Sequence, residues 1–394
     1  MRKSANIKIA RTGGIITAVF FILFVLGLGY LSFFGERRTV SEVENREVKQ
    51  MPELSLSSWV SGSFAGDYDA FVSDNFPWRD RFLHLNSRFN SYFTQLSIGD
   101  EGVWIGNRFL YKNRGMGHYV PTNEEISIYV NAINYVKDSL PETDVYVMLI
   151  PAAFNYYAPE KYQDPLTKAS ANIEKTFSGI NNEVIKVNIY AALDNAKDDY
   201  IYFRTDYHWT ARGAYCAYYV FAETAGFEAV KLERLRHAVL EGNYLGALVR
   251  EMHEPEALTS SPDFVEVFHP LIDHSAHRYN DAEMTEGKEL DLVQSSVNSS
   301  NKYNVFNGGD HPIIHIISAN KNGRKILVIK DSFANPLTAF LVYDFEEVFF
   351  IDYRYLRMDI FSFIEEHSID SLLFVNRINL DTGISEFIYM QNEV

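Results

Sequence analysis

A single cysteine, Cys216, stands in the 394 residues of the chain. One thiol cannot form an internal disulfide or a Cys-cluster metal site. Positive charge is also in short supply: 36 Lys and Arg face 52 Asp and Glu, so 36 − 52 leaves a formal net charge of −16. A surface of that sign repels polyanions, so nucleic acid is not an expected partner. No G-x-G-x-x-G or G-x-x-x-x-G-K-[ST] fingerprint is present and no internal repeat is evident, which removes the usual signatures of dinucleotide folds, P-loops and solenoids. Disorder is excluded by what is abundant, 47% hydrophobic residues with 15% aromatic.

Long apolar runs are limited to one. Residues 13–34 (GGIITAVFFILFVLGLGYLSFF) are 22 residues without a charge. As a helix they would span roughly 33 Å, enough for a hydrocarbon core of about 30 Å. Arg2, Lys3, Lys8 and Arg11 precede the run with no acidic residue among them, so the positive-inside bias places residues 1–12 in the cytoplasm. The run is longer than a signal-peptide core of roughly 7–15 residues, and no A-x-A-like site follows. The expectation is therefore an uncleaved single-pass anchor in the cell membrane, a polar stalk over 35–62, and an extracytoplasmic domain over 63–394.

Within that domain, Phe82, Leu85, Phe89, Phe93 and Leu96 recur at helical spacing after Pro77 and predict a core-facing helix. Residues 102–113 predict a strand pair turning at Gly106–Asn107. Thr122 and Glu125 form a capping box for a helix over 123–139. Strands are expected at 144–151, 184–190, 200–203, 325–329, 347–351 and 371–376. Helices are expected at 210–224, capped by Thr210, from about Pro336, and around 359–367. Apolar strands alternating with helices predict an α/β fold with a mostly parallel sheet. Residues 233–320 interrupt the pattern and read as an inserted irregular and β segment, with a mobile loop at about 284–303.

Two segments carry chemistry. In FRTDYHWTARGAY (203–215), Asp206 and His208 are two apart, so in extended backbone they share a face. A carboxylate there can orient an imidazole and leave its second nitrogen free as a base. In KILVIKDSFANPLTAFL (325–341), an apolar strand runs into Asp331-Ser332-Phe333 before a helix capped by Asn335. Ser332 thus lies at a strand's carboxyl end, where open α/β sheets bind ligands and backbone N–H groups can hold an oxyanion. A serine nucleophile needs a base, and the base an orienter, so the two segments together offer Asp206, His208 and Ser332 as one triad. A third segment, NGGDHP (307–312), places Gly309 to donate an N–H and Asp310 or His311 to contact substrate, or forms a plain turn. Asn376, at a strand end, either lines the site or caps it. Trp209, Tyr353 and Tyr355 are candidates for stacking on sugar rings. Asp206, His208, Asp310 and His311 are metal-ligand types, but their spacing matches no metal signature, so neither metal nor cofactor is expected.

These residues resemble a known family. Thr205-Asp206-Tyr207-His208-Trp209-Thr210, Lys330-Asp331-Ser332-Phe333, Glu44-Asn45-Arg46, Asp74-Asn75-Phe76-Pro77-Trp78-Arg79 and Gly308-Gly309-Asp310-His311-Pro312 are similar to the SGNH-hydrolase-like proteins of the alginate O-acetyltransferase type, the AlgJ and AlgX group. The likeness is strongest to the branch named for an Asp-His-His-Trp motif, and it runs from about residue 36 to 376. It implies an SGNH-like three-layer α/β/α domain with Ser332 as nucleophile, His208 as base and Asp206 as orienter. It further implies O-acetyl transfer to, or ester hydrolysis on, a surface polysaccharide or cell-wall glycan, with a multi-pass membrane acyltransferase supplying the acyl group. Two positions depart from the pattern: Tyr207 stands for the motif's second residue, on a position that points away from the Asp206/His208 face, and Lys330 stands where Gly usually precedes Asp-Ser. The second departure favours an alternative, a catalytically idle glycan-binding or scaffolding subunit of an envelope assembly.

Overall fold

The computed structural model describes residues 101–389, except 165–167, 253, 298–299 and 381, together with parts of 15–85. The chain divides into two compact units, Met1–Tyr92 and Phe93–Val394. In the first, strands β1 (Val40–Ser41) and β2 (Arg46–Glu47) pair antiparallel within the stretch read as stalk, and a helix spans Ser63–Asp74. The Asp74 carboxylate accepts from the Lys49 backbone N–H at 2.9 Å, and the Asn75 amide donates to the Lys49 carbonyl at 3.0 Å. Of the aromatic stripe expected in the core, Phe82 and Leu85 are exposed, while Phe89, Phe93 and Leu96 lie outside the described residues.

Of the apolar run 13–34, residues 15 and 17–31 are described and helical, with exposed side chains from Val19 to Leu26. Among the described residues no helix is long and apolar enough to cross a membrane. A helix over 17–31 rises roughly 22 Å, less than a hydrocarbon core. The ends of the run lie outside the described residues.

The second unit opens with an antiparallel meander, β3 (Val103–Ile105), β4 (Arg108–Tyr111) and β5 (Arg114–Gly117), whose first turn uses Gly106 at φ +60°. Thr122 accepts from the Glu125 N–H at 3.1 Å and the Glu125 side chain answers at the Thr122 N–H, so the capping box starts the helix Asn123–Ser139. The main sheet contains β6 (Asp144–Ile150), β7 (Ile185–Val187), β10 (His274–Tyr279), β11 (Lys288–Glu289), β12 (Ile313–Ser318), β13 (Lys325–Lys330), β14 (Glu347–Asp352) and β15 (Ser371–Arg377). A separate pair joins β8 (Arg236–Val239) to β9 (Glu266–His269). The order β11-β10-β12-β14-β13-β15-β6-β7 is parallel from β14 to β7 and antiparallel from β14 to β11. The sheet is thus mixed, because the stretch read as an insertion adds three antiparallel strands to the parallel ones. Within the stretch expected to be a mobile loop, Leu292, Val293 and Tyr303 are buried. The expected strand 200–203 is reduced to one bridge between Tyr202 and Trp209.

Period-two alternation splits each central strand between two cores. In β13, Ile326 and Val328 pack with the helix Ala211–Thr224, while Leu327 and Ile329 pack with helices Asn123–Ser139 and Ile360–His367 on the other face. Helices therefore cover both sides of the sheet, giving three layers.

Gly213 shows how tightly one layer docks. A Cβ there would stand 2.3 Å from the Ile201 carbonyl oxygen and 2.9 Å from the Trp209 Cβ. In an open helix, Ala in place of Gly gains about 1 kcal/mol. Here Gly213→Ala is expected to cost about 1–3 kcal/mol through overpacking against backbone, read as a lower urea midpoint. A raised midpoint would show that the helix can shift without loss.

Candidate active site

Residues 200–210 form a tight loop in front of the helix Ala211–Thr224. The Phe203 N–H donates to the His208 carbonyl at 3.2 Å and the Thr210 N–H to the Ile201 carbonyl at 2.9 Å. Thr210 caps the helix through the Gly213 N–H and donates its own hydroxyl proton to the Tyr200 carbonyl at 2.7 Å. Asp206 and His208 sit at the tip. On the other side, β13 ends at Lys330 and the chain turns into a 3₁₀ segment, Ser332–Leu337, followed by the short helix Thr338–Leu341. The expected helix start at Pro336 with an Asn335 cap is corrected: Asp331 is the cap, accepting from the Phe333 N–H at 3.0 Å. Asn335 is occupied elsewhere, as described below.

The structure brings Asp206, His208 and Ser332 together. The imidazole Nδ1 is 2.6 Å from Asp206 Oδ1, and Nε2 is 2.9 Å from Ser332 Oγ, across 124 positions of sequence. Both lengths lie within or close to hydrogen-bond range for a nucleophile, base and orienter. Asp206 is 3% exposed. Its Oδ1 also accepts from the His208 N–H at 3.0 Å, and its Oδ2 accepts from the Tyr244 hydroxyl at 2.8 Å and the Ala247 N–H at 3.0 Å. Burial pushes this carboxyl up, but His208 and the hydrogen bonds outweigh it and hold the group well below the usual carboxylate range. The imidazole lies flat on the Tyr303 ring, centroids 3.9 Å apart at 16°, with Phe333 at 4.7 Å and Tyr207 at 4.5 Å. Tyr207 therefore packs beside the imidazole instead of pointing away from it. The Tyr303 hydroxyl donates to the Ser332 carbonyl at 3.0 Å.

Expectations about substrate contact at Trp209, Gly309 and Asn376 are corrected. Trp209 is fully buried, and its Nε1–H donates to the Phe333 carbonyl at 2.7 Å, so its indole cannot stack on a sugar. Gly309 spends its N–H on the Phe306 carbonyl at 3.0 Å. His311 Nε2 lies 2.8 Å from the Asn307 carbonyl and closes the same turn. Asn376 is buried, accepting from the Tyr129 hydroxyl at 3.0 Å among the helices on the opposite face. Of the stacking candidates, Tyr353 is buried and Tyr355 exposed. The N–H groups of Phe333 and Ala334 are likewise spent, on the Asp331 side chain and carbonyl. Among the described residues no cluster of three or more metal-ligand side chains occurs.

Lys330 has no exposed side-chain surface. Its Nζ bonds Asn335 Oδ1 at 2.8 Å, Asp352 Oδ2 at 3.0 Å and Asp310 Oδ1 at 3.4 Å. Lys330 and Asp352 are register partners on adjacent strands. Arg354 completes the network, reaching Asp352 at 2.6 Å and Asp310 at 2.9 Å, and the Asn335 amide donates to Asp310 at 2.9 Å. The network ties the 307–312 turn to the segment that carries Ser332.

Beside the triad is a small apolar pocket lined by Gly117, Tyr119, Ala152, Ala153, Tyr207 and Phe333, with Arg377 at its edge. The guanidinium carbon lies 5.8–6.0 Å from the Phe333, Tyr119 and Tyr207 ring centres. Register explains the placement: Lys330 pairs with Val375, so Ser332 and Arg377 leave neighbouring strands at the same edge. Sequence reasoning passed over Tyr244, Tyr303 and Arg377. The two tyrosines stand in the irregular stretch, where no periodicity marks a burial partner; Arg377 ends the apolar strand β15, and that was its one signal.

The sequence profile described as DHHW protein matches residues 99–351, more than half of the chain. The chain belongs to the DHHW family. Among solved structures it is similar to a DHHW family protein from Eubacterium siraeum DSM 15702, at 28% identity and TM-score 0.65, covering 74% of this chain and 97% of that one. It is also similar to Bacillus cereus PatB1, determined with a sulfonyl adduct, at 20% identity and TM-score 0.57, covering 70% and 96%. The likeness to the O-acetyltransferase domain of Pseudomonas putida AlgJ is more distant, at 12% identity and TM-score 0.42, covering 73% and 99%. Among curated proteins none matches. The family is the branch that the Asp-x-His-Trp and Lys-Asp-Ser-Phe segments resemble.

Asp310 supplies a pH test of the network. Burial pushes its carboxyl up, but Lys330, Arg354 and Asn335 together bring it from 3.8 down to about 2. A depressed folded value means the stabilisation is complete above the ordinary pKa and is lost as pH falls toward about 2. Urea unfolding at stepped pH is expected to show this loss between pH 4 and 2 in the wild type and a flatter dependence in Asp310→Asn. Parallel curves for the two proteins would remove Asp310 from the stabilising set.

Proposed function

We propose that this chain is a membrane-anchored, extracytoplasmic serine O-acetyltransferase or acetylesterase acting on hydroxyls of a surface polysaccharide or cell-wall glycan. The observation that carries the reading is the continuous hydrogen-bonded chain from Asp206 through His208 to Ser332 at the carboxyl edge of the parallel strands. His208 Nε2 takes the proton of Ser332 Oγ as that oxygen attacks the acyl carbonyl. The departing oxygen then receives the proton from His208, and the acetyl group remains on Ser332. A glycan hydroxyl, or water in the hydrolytic case, gives its proton to His208 as it attacks the acetyl carbonyl, and Ser332 leaves with that proton. Asp206, held ionised by its hydrogen bonds, keeps Nδ1 protonated and stabilises the imidazolium formed in each half-reaction.

The acetyl group, the glycan acceptor and a multi-pass acyltransferase as donor come from the family resemblance. The anchor rests on the uncharged run 13–34 and the four basic residues before it. The feature that favoured an idle scaffold was Lys330 in place of Gly. Its ammonium is committed to the network with Asp352, Asn335 and Asp310, which supports the enzymatic reading over the scaffold.

The full-length protein is expected to hydrolyse p-nitrophenyl acetate, with kcat/KM falling about a thousandfold in Ser332→Ala. Equal rates in the two proteins would remove the nucleophile. Glycan binding without ester turnover under any condition would establish the scaffold instead.

A further inference from the structure

Residues 244–248 wrap around Asp206. The Tyr244 hydroxyl and the Ala247 N–H both donate to Oδ2, the Gly246 N–H donates to Thr205 Oγ1 at 2.9 Å, and the Leu248 N–H donates to the Thr205 carbonyl at 3.0 Å. Gly246 leaves no room for a side chain: a Cβ there would stand 2.4 Å from the Asp206 Cβ and 2.6 Å from Oδ2. Asp263, fully buried, anchors the assembly from behind. Its carboxylate accepts from the Arg204 N–H at 2.9 Å, the Thr205 N–H at 2.8 Å, and the Thr205 and Tyr200 hydroxyls. Its backbone pairs both ways with Tyr244 at 2.8 Å. One residue thus fixes the segment that carries Tyr244 through its backbone and the peptide just before Asp206 through its carboxylate.

We propose that Tyr244 is a positioning residue for the triad: its hydroxyl, set by the Asp263 clamp, holds Asp206 Oδ2 so that Oδ1 alone is presented to the imidazole. The catalytic part of this inference rests on the function proposed above; the hydrogen-bond part does not. A carboxylate can turn about its terminal bond, and pinning one oxygen from two directions removes that freedom. The hydroxyl also draws charge from the carboxylate. Without it Asp206 holds more charge against His208, the imidazolium is favoured, and the acid limb of the rate profile moves to higher pH. Among the described residues, Tyr207, Tyr303 and Asp310 also face the Asp206–His208 pair, with Arg377 and Glu251 beyond Tyr207 and Asp263 behind Tyr244. Burial pushes Tyr207, Tyr244 and Tyr303 up, so none of them ionises over that limb.

The test uses the full-length protein and Tyr244→Phe, which removes one oxygen and keeps the ring. With p-nitrophenyl acetate, kcat is expected to fall about tenfold to a hundredfold, the usual weight of a hydrogen bond to a charged group. KM is expected to stay within about twofold, and the acid limb to move up by about half a pH unit or more. Tyr218→Phe, which loses another buried hydroxyl, the one bonded to the Val230 N–H, is expected to leave rate and profile unchanged. Independently of turnover, the proton between Asp206 and His208 is expected as a downfield ¹H NMR resonance that is absent in Asp206→Asn and shifts further downfield in Tyr244→Phe. A resonance at the same position in wild type and Tyr244→Phe, or none in wild type, overturns the proposal whether or not either protein cleaves an ester. A shifted resonance without any esterase activity would keep the positioning role and remove the enzymatic reading.

Discussion

The arrangement of this site follows from the need to keep one carboxylate ionised where water barely reaches it. A bare carboxylate as buried as Asp206 would cost several kcal/mol or take up a proton. Its four donors come in equal parts from two places. The His208 backbone and ring belong to its own loop, while Tyr244 and Ala247 belong to a segment about forty positions further along. Neither group satisfies both oxygens by itself. The irregular stretch after the helix Ala211–Thr224 is therefore required for the acid side of the site, beyond any role in enlarging the sheet.

The serine side is joined to it by ties to main-chain atoms. Trp209 donates to the Phe333 carbonyl and Tyr303 to the Ser332 carbonyl, while the Tyr303 ring supports the imidazole from below. Bonds to carbonyls fix where peptides lie, so they hold Ser332 against His208 without engaging its hydroxyl. For the function proposed above, a site held in this way needs little rearrangement, which is where oriented groups have their effect.

Much of this was legible in the sequence where the determinants are local. Continuous apolar runs marked β6, β13, β14 and β15, and the caps at Thr122 and Thr210 marked their helices, because each depends on side chains within a few positions. The Asp-x-His loop and the serine at a strand end were legible for the same reason. The direction of β12 was not, since Ile313–Ser318 has the same apolar pattern whether its neighbour runs with it or against it. Trp209 beside a histidine reads as a sugar platform until tertiary packing buries it. Asp331 and Asn335 are both suitable caps, and the choice between them is made by Lys330, which claims the Asn335 side chain. Tyr244 and Tyr303 were invisible because their partners lie far along the chain.

Lys330 also explains how the 307–312 turn is held. Two cations, Lys330 and Arg354, face two carboxylates, Asp352 and Asp310, so the buried pair Lys330–Asp352 is matched and hydrogen-bonded, the condition under which burial of ions is tolerated. Asp310 is thereby held from the strand side. Asn307 is held as well, donating to the Asn335 carbonyl and accepting from the Thr338 hydroxyl. With both ends fixed, the Gly309 amide and the His311 ring turn onto carbonyls of their own loop, and the turn braces the serine segment from one side. Beside Ser332, Tyr119, Tyr207 and Phe333 surround a small apolar pocket with the Arg377 guanidinium at its edge.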